Sequence, residues 1–345
     1  MPKLRVMLSG GGTGGHIFPA VAIADEIKSR YPDTEFLFVG AKDKMEMEKV
    51  PNAGYPIEGL WISGIQRKLS ADNLSFPFKL ISSLWKSRKL IRRFKPDVVI
   101  GTGGFASGPL LWVAAGKGIP TLIQEQNSYP GITNKLLAKK VNSICVAYDR
   151  MERFFPKDKL VLSGNPLRKD LSEALPAEAS IKSKIGLNPK WPTLLILGGS
   201  LGARRINEMI SEQIEALGEM PLNIIWQCGK LYHDHLQQKH ADLPKHIKLQ
   251  AFISDMKEAY AASDMVISRA GANTLSELAV VGKAAILIPS PNVAEDHQTK
   301  NAEALSSKKA AILFKENHDS KELLEELKRL LEQASAREEL QENIQ

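Results

Sequence analysis

The feature that most constrains this chain is a short pattern that occurs twice: an apolar strand, a glycine-rich loop, then a helix. The first copy is Arg5–Leu8 followed by Ser9-Gly10-Gly11-Gly12-Thr13-Gly14-Gly15-His16. The second is Thr193–Leu197, then Gly198-Gly199-Ser200-Leu201-Gly202, then a helical stretch over Arg205–Leu217. Glycines after a strand let backbone approach a ligand and expose N–H groups at the next helix start. Further strand candidates follow each copy. They are Glu35–Val39, Asp97–Ile100, Thr121–Gln124 and Ser143–Ala147, then Asn223–Gln227, Ile247–Gln250, Met265–Ser268 and Ala284–Pro289. Helical patterns such as Ala20–Ser29 and Pro77–Phe94 lie between them.

This alternation argues for parallel sheets covered on both faces. The expected fold is α/β, with two Rossmann-like domains facing a cleft, over residues 1–164 and 165–345. Ser163–Pro192, rich in Pro, Lys, Ser and Ala, reads as the linker. The charged stretch Ser320–Gln345 carries Leu323, Leu327, Leu330, Leu331 and Leu340 at helical spacing. It is expected to pack back on the first domain or to be solvated. Ligands of such sheets sit at the carboxyl ends of the strands.

Several classes are excluded early. No apolar run approaches the roughly 18–20 residues that span a bilayer. Leu4–Leu8 runs into glycines without a cleavage-site pattern, so no leader is expected and the chain should stay in the cytoplasm. Cys145 and Cys228 lie far apart in apolar stretches and form neither a metal spacing nor a disulfide framework. No acid pair of metal-binding type stands at a strand end, so no metal and no cofactor are expected.

The net charge of +7 is unevenly spread: residues 67–95 hold nine basic residues against one acid, Asp72. Such a cluster attracts polyanions. On a helix, Leu80, Ile81, Leu84 and Trp85 share a face, with Phe76 at its start, while Lys79, Lys86, Lys89 and Arg93 line another. That pattern suits a helix lying on an anionic membrane, with Trp112 able to join it. A nucleic-acid reader would interleave stacking residues, so no nucleic acid is expected. Packing of the apolar face on the sheet is the plain alternative.

The loops carry the chemistry. Gly10, Gly12 and Gly15 satisfy the dinucleotide spacing formally, which keeps an oxidoreductase open. That reading needs an acid about 20 residues on, at a strand end, and Glu35 stands at a strand start. His16, at a helix mouth beside glycines, can reach a substrate hydroxyl, and an imidazole suits a general base. Gly101–Pro109 and Gln124-Glu125-Gln126-Asn127 follow neighbouring strands, so three loops converge. In the second half Gly271–Thr274 open a helix suited to a diphosphate. Glu277 can accept two ribose hydroxyls, and Glu295–Asn301 offers polar groups for a sugar.

Taken together, these motifs resemble the peptidoglycan N-acetylglucosaminyltransferase (MurG) family of GT-B enzymes. The resemblance rests on Gly11–His16, Gly101–Pro109, Glu125-Gln126-Asn127, Gly164-Asn165-Pro166-Leu167-Arg168, Gly198–Ala203, Arg269–Glu277, and Gln298 with Asn301. It implies inverting transfer of GlcNAc from UDP-GlcNAc to the C4 hydroxyl of MurNAc in undecaprenyl-diphospho-MurNAc-pentapeptide (lipid I). The product is lipid II, made at the cytoplasmic face of the membrane. Other cell-wall-synthesis proteins are implied as candidate partners. Gly12, Thr13, Gly14 and Asn127 would contact the donor from the first domain. Arg168, Ser200, Ile253, Ala272, Asn273, Thr274, Leu275, Ser276, Glu277 and Gln298 would complete the nucleotide-sugar site, with His16 as the base. One departure stands: the family carries a second Gln, or an Arg, beside its glutamine, whereas His297 and Thr299 flank Gln298 here. A UDP-GlcNAc 2-epimerase-like enzyme and a non-enzymatic membrane adaptor are the remaining alternatives.

Overall fold

The computed structural model describes residues 3–64, 74–167, 171, 179–199 and 201–345. It divides into two compact units, Met1–Leu167 and Arg168–Gln345.

The first unit strings together β1 (Arg5–Gly10), α1 (Gly14–Arg30), β2 (Glu35–Ala41), α2 (Glu46–Asn52), β3 (Ile57–Leu60) and α3 (Phe76–Phe94). It continues with β4 (Val98–Gly103), α4 (Ser107–Gly116), β5 (Thr121–Glu125), α5 (Ile132–Leu137), β6 (Ser143–Val146) and β7 (Leu160–Leu162). Its sheet has the order β3-β2-β1-β4-β5-β6-β7, and all neighbours are parallel. Strands β1 and β4 are fully buried along most of their length because helices cover both faces. One apolar cluster gathers Val6, Leu8, Ile17 and Phe38, and another gathers Met7, Val39, Leu110 and Ile123. Alternate residues of each strand thus feed opposite faces.

The second unit repeats the plan. It runs α6 (Ala179–Lys184), β8 (Thr193–Leu197), α7 (Arg204–Glu212), α8 (Ile214–Gly218), β9 (Asn223–Gln227), α9 (His233–Lys239) and β10 (Ile247–Gln250). Then come α10 (Met256–Ala262), β11 (Met265–Ser268), α11 (Ala272–Val281), β12 (Ala284–Leu287), α12 (His297–Ser306), β13 (Ile312–Leu313), α13 (Ser320–Glu332) and α14 (Ala334–Ile344). Its parallel sheet has the order β10-β9-β8-β11-β12-β13. In each sheet the strand order reverses beside the first strand, between β1 and β4 and between β8 and β11. Doubly wound sheets place ligands at that point.

Three expectations change. The segment read as a linker enters the second core: Leu171 and Leu187 are buried there, and Lys182 is ion-paired to Asp264 at 2.8 Å. The stretch Arg205–Leu217 is broken at Gln213 into α7 and α8. The terminal stretch is two helices that pack on their own unit, with Leu340 and Ile344 buried in its cores.

Candidate functional site

In the first unit the loops after β1 and β4 are fitted backbone to backbone. A Cβ on Gly10 would lie 2.1 Å from Thr102 Oγ1 and 2.5 Å from the His16 carbonyl oxygen. Gly104, at φ +87°, would place one 2.3 Å from the Gly11 oxygen. The Thr102 hydroxyl donates to the His16 carbonyl at 2.6 Å, and Ser107 donates to Ser9 and Gly103 carbonyls at 3.0 and 2.6 Å. His16 is the third residue of α1 and is half-buried. A Cβ on Gly103 would come within 2.7 Å of the His16 ring, so the ring rests against a residue that must be small. Its Nδ1 lies 3.1 Å from Gln126 Oε1.

Two buried carboxylates shape this region, and neither was singled out for that task from the sequence. Glu46, the first residue of α2, accepts from Gly12 N–H at 2.9 Å and Ala41 N–H at 3.0 Å and is fully buried. Its side chain fills the space that Cβ atoms on Gly11 and Gly40 would need. Only the folded chain joins residues 34 positions apart; no local signal marks Glu46. Glu125, at the end of β5, accepts from Asn127 N–H and Nδ2, Gly131 N–H and Asn134 Nδ2, at 2.9–3.1 Å. It therefore shapes the loop that carries Gln126 and Asn127. Thr13 stands at the mouth of α1 and is exposed, and its side chain makes no capping bond.

In the second unit, Gly199 and Gly202 take φ +77° and +89° in the loop after β8. A Cβ on Gly202 would meet the Cys228 carbonyl at 2.3 Å. Burial pushes the Cys228 thiol up to about 11, so it stays an inert thiol. Helix α11 opens at Gly271 with no side-chain cap. Asn273 Oδ1 there is buried without a hydrogen-bond partner among the described residues. Glu277 sits one turn into α11, and its Oε2 accepts from the buried Tyr260 hydroxyl at 2.9 Å. Tyr260 is a partner the sequence did not reveal. Gln298 Oε1 accepts from Ser290 N–H at 2.8 Å, which turns the amide NH2 away from that loop. Arg269 grips the Ile288 and Pro289 carbonyls and the Glu316 carboxylate, tying the ends of β11 and β12 together.

Not every expected site residue stands with the others. Leu275 and Ile253 are core side chains, 2% and 6% exposed, so only their backbone can face a ligand. Ala272 is also buried, while Thr274 and Ser276 are half-buried, Ser276 donating to the Ala272 carbonyl. Arg168 and Ser200 lie outside the described residues, as do Arg67, Lys68 and Asp72 of the basic segment.

Helix α3 splits the apolar face read from the sequence. Its inward face is Ser83, Ser87, Leu90 and Ile91, and Phe76 packs against the core. Leu80 and Leu84 are half-buried, while Phe78, Ile81 and Trp85 are 70%, 65% and 68% exposed. Lys86 and Arg93 pair with Glu58 at 3.2 and 2.7 Å, and those cations hold its carboxyl below the usual range. Lys79 donates to Ser63, and Lys89 lies over the Trp85 ring. Arg88 and Arg92 are exposed beside Trp85 and Lys89. Trp112 on α4, under Lys140 at 4.0 Å, and Ile132 and Leu136 on α5 are exposed too. Among the described residues, no helix is long and apolar enough to cross a membrane, and no His, Cys, Asp and Glu cluster suits a metal.

Two family models match most of this framework: the glycosyltransferase family 28 N-terminal domain over residues 6–146 and its C-terminal domain over residues 193–345. The chain belongs to glycosyltransferase family 28. A family member from Flavobacterium psychrophilum is 57% identical over 100% of this chain and 93% of its own. One from Cytophaga hutchinsonii is 55% identical over 99% and 91%. Both are named UDP-N-acetylglucosamine–N-acetylmuramyl-(pentapeptide) pyrophosphoryl-undecaprenol N-acetylglucosamine transferase. The crystal structure of Acinetobacter baumannii MurG superposes with a TM-score of 0.78 at 32% identity, covering 99% of this chain and 94% of that one. The chain therefore stands in the MurG branch of family 28, with its GT-B plan of two Rossmann-like units. A UDP-N-acetylglucosamine 2-epimerase also superposes, with a TM-score of 0.66 at 12% identity over 99% of this chain and 91% of that one. That likeness is one of fold alone.

Proposed function

We propose that this chain carries out the reaction its family 28 relatives are named for. It transfers N-acetylglucosamine from UDP-GlcNAc to the muramyl sugar of lipid I and so makes lipid II. What carries the assignment is identity of 55–57% with enzymes of that name along essentially the whole chain. In the first unit, His16 is the proposed base for the C4 hydroxyl, with Gly12, Thr13, Gly14 and Asn127 near it as substrate contacts. In the second, Glu277 holds the ribose, the α11 amino end faces the diphosphate, and Gln298 donates to GlcNAc hydroxyls. The helix dipole and free amides stabilise the leaving UDP. Inversion needs a single displacement, and a single base suffices. Arg168 and Ser200 keep their proposed donor roles. The test is UDP release from UDP-GlcNAc with and without a lipid I analogue. Release that requires the acceptor is expected; equal release without it would favour epimerase-type chemistry.

The exposed face of α3 is the proposed contact with the anionic cytoplasmic surface of the membrane. Ile81 and Trp85 would insert, while Arg88, Lys89 and Arg92 meet headgroups. Burying either apolar side chain is worth about 1.5–3 kcal/mol. Replacing both by alanine should therefore weaken binding to phosphatidylglycerol vesicles about 10-fold or more. Added salt should weaken wild-type binding. Equal wild-type binding to neutral and anionic vesicles at low salt would remove the electrostatic part.

A further inference from the structure

We propose that Gln126 is a positioning residue that decides which ring nitrogen of His16 is free to take a proton; this rests on the role proposed above for His16. Gln126 is 1% exposed. Its Nε2 donates to the Thr102 carbonyl at 2.8 Å and the Gln124 carbonyl at 3.1 Å. Carbonyl oxygens only accept, so the NH2 end must face them and the amide cannot be turned over. Oε1 is thereby aimed at His16 Nδ1, 3.1 Å away. An amide oxygen also only accepts, so Nδ1 carries the hydrogen. A neutral imidazole has one N–H, and the lone pair is left on Nε2.

The lock is itself held. The Gln126 carbonyl accepts from Asn165 Nδ2 at 3.1 Å, and Asn165 Oδ1 accepts from Gln124 Nε2 at 2.8 Å. Gln124 Oε1 also contacts Gln126 Nε2. Three amides thus form one chain, with Gln124 and Gln126 buried and Asn165 half-buried, and a lost partner at the buried pair is costly. On one side the ring lies against Gly103, and the Thr102 hydroxyl fastens the His16 carbonyl.

In the transfer, the acceptor oxygen bonds to C1 of GlcNAc as the bond from C1 to the UDP oxygen breaks, its electron pair leaving with UDP. The hydroxyl proton passes to Nε2, and the imidazolium keeps its Nδ1–H bond to Gln126. An amide supports both states without placing a negative charge beside the ring. In an imidazole left to choose, molecules with the hydrogen on Nε2 have no lone pair there to accept that proton.

The experiment is nitrogen-15 NMR of histidine-labelled wild-type enzyme, with the His16 signals assigned by their loss in His16→Ala. The expected result is a protonated Nδ1 and a bare Nε2. With the ring in its neutral form, a hydrogen found on Nε2 overturns the proposal. In steady-state kinetics, Gln126→Met should lower kcat about 10-fold or more, with the KM for UDP-GlcNAc within about twofold. It should cost nothing further in a His16→Ala background. An unchanged kcat in Gln126→Met, or an equal loss in that background, also overturns it. Near-normal turnover by His16→Ala would instead refute the role of His16, which the NMR result leaves untouched.

Discussion

Replacing His16 by alanine should lower turnover about 10²-fold or more, with UDP-GlcNAc binding largely kept. The backbone contacts argue that this loss would be chemical rather than structural. The His16 carbonyl, which accepts the Thr102 hydroxyl, is unchanged by the substitution. The ring is only half-buried, so its removal opens no closed cavity in the core. The two buried carboxylates of this region, Glu46 and Glu125, are already spent on backbone and amide donors. Binding of UDP-GlcNAc by calorimetry and kcat with a lipid I analogue separate the two effects. A rate near that of the wild type would take His16 out of the mechanism.

The second large effect is expected at Glu46. Glu46→Ala strips Gly12 and Ala41 of their acceptor and empties the space between Gly11 and Gly40. Each orphaned buried donor costs roughly 1–3 kcal/mol, and the cavity adds to that. For a unit of this size each kcal/mol lowers the melting point by roughly 2–4 °C, so a fall on the order of 5–15 °C is expected by calorimetry. Glu46→Gln should lie between, since one oxygen remains to accept while the new NH2 confronts an N–H. A melting point within about 1 °C of wild type for Glu46→Ala would show that water replaces the carboxylate at no cost.

How far the sequence carried the structure follows from what each feature depends on. Strands buried on both faces announce themselves as continuous apolar runs. Thr193–Leu197, Asn223–Gln227 and Met265–Ser268 are of this kind and form where expected, as does the partly buried edge strand Ile247–Gln250. The strands not foreseen, β3, β7 and β13, stand at sheet edges or are only two to four residues long. There the apolar signal is too short to separate from loop. Helix α3 shows how amphipathic patterning divides: Leu80 and Leu84 are half-buried while Ile81 and Trp85 are exposed. Its inward positions include Ser83 and Ser87, with Ser83 donating to the Trp61 carbonyl. Small residues let the helix lie close there, beside Leu90 and Ile91, while Phe78, Ile81 and Trp85 face outward. In the candidate site, the loops and His16 were legible because glycine and histidine are rare in such spacing. Glu46, Tyr260 and the aim of the Gln126 amide were not, because each acts through residues far away in the chain.

The carboxylate of Glu46 also bears on ligand choice. The amino end of a helix after a glycine loop is where doubly wound proteins seat a phosphate. In the first unit the Gly12 amide is already bound to the protein's own anion. A pyrophosphate brought to Gly12 would displace or confront a buried negative charge, so the loop carries a resident counterfeit of the ligand its glycine spacing advertises. The second unit's α11 has no acid in its first turn. In the function proposed above, that one side chain would divide the labour between two similar folds, leaving the first loop to neutral hydroxyls and the second to the nucleotide.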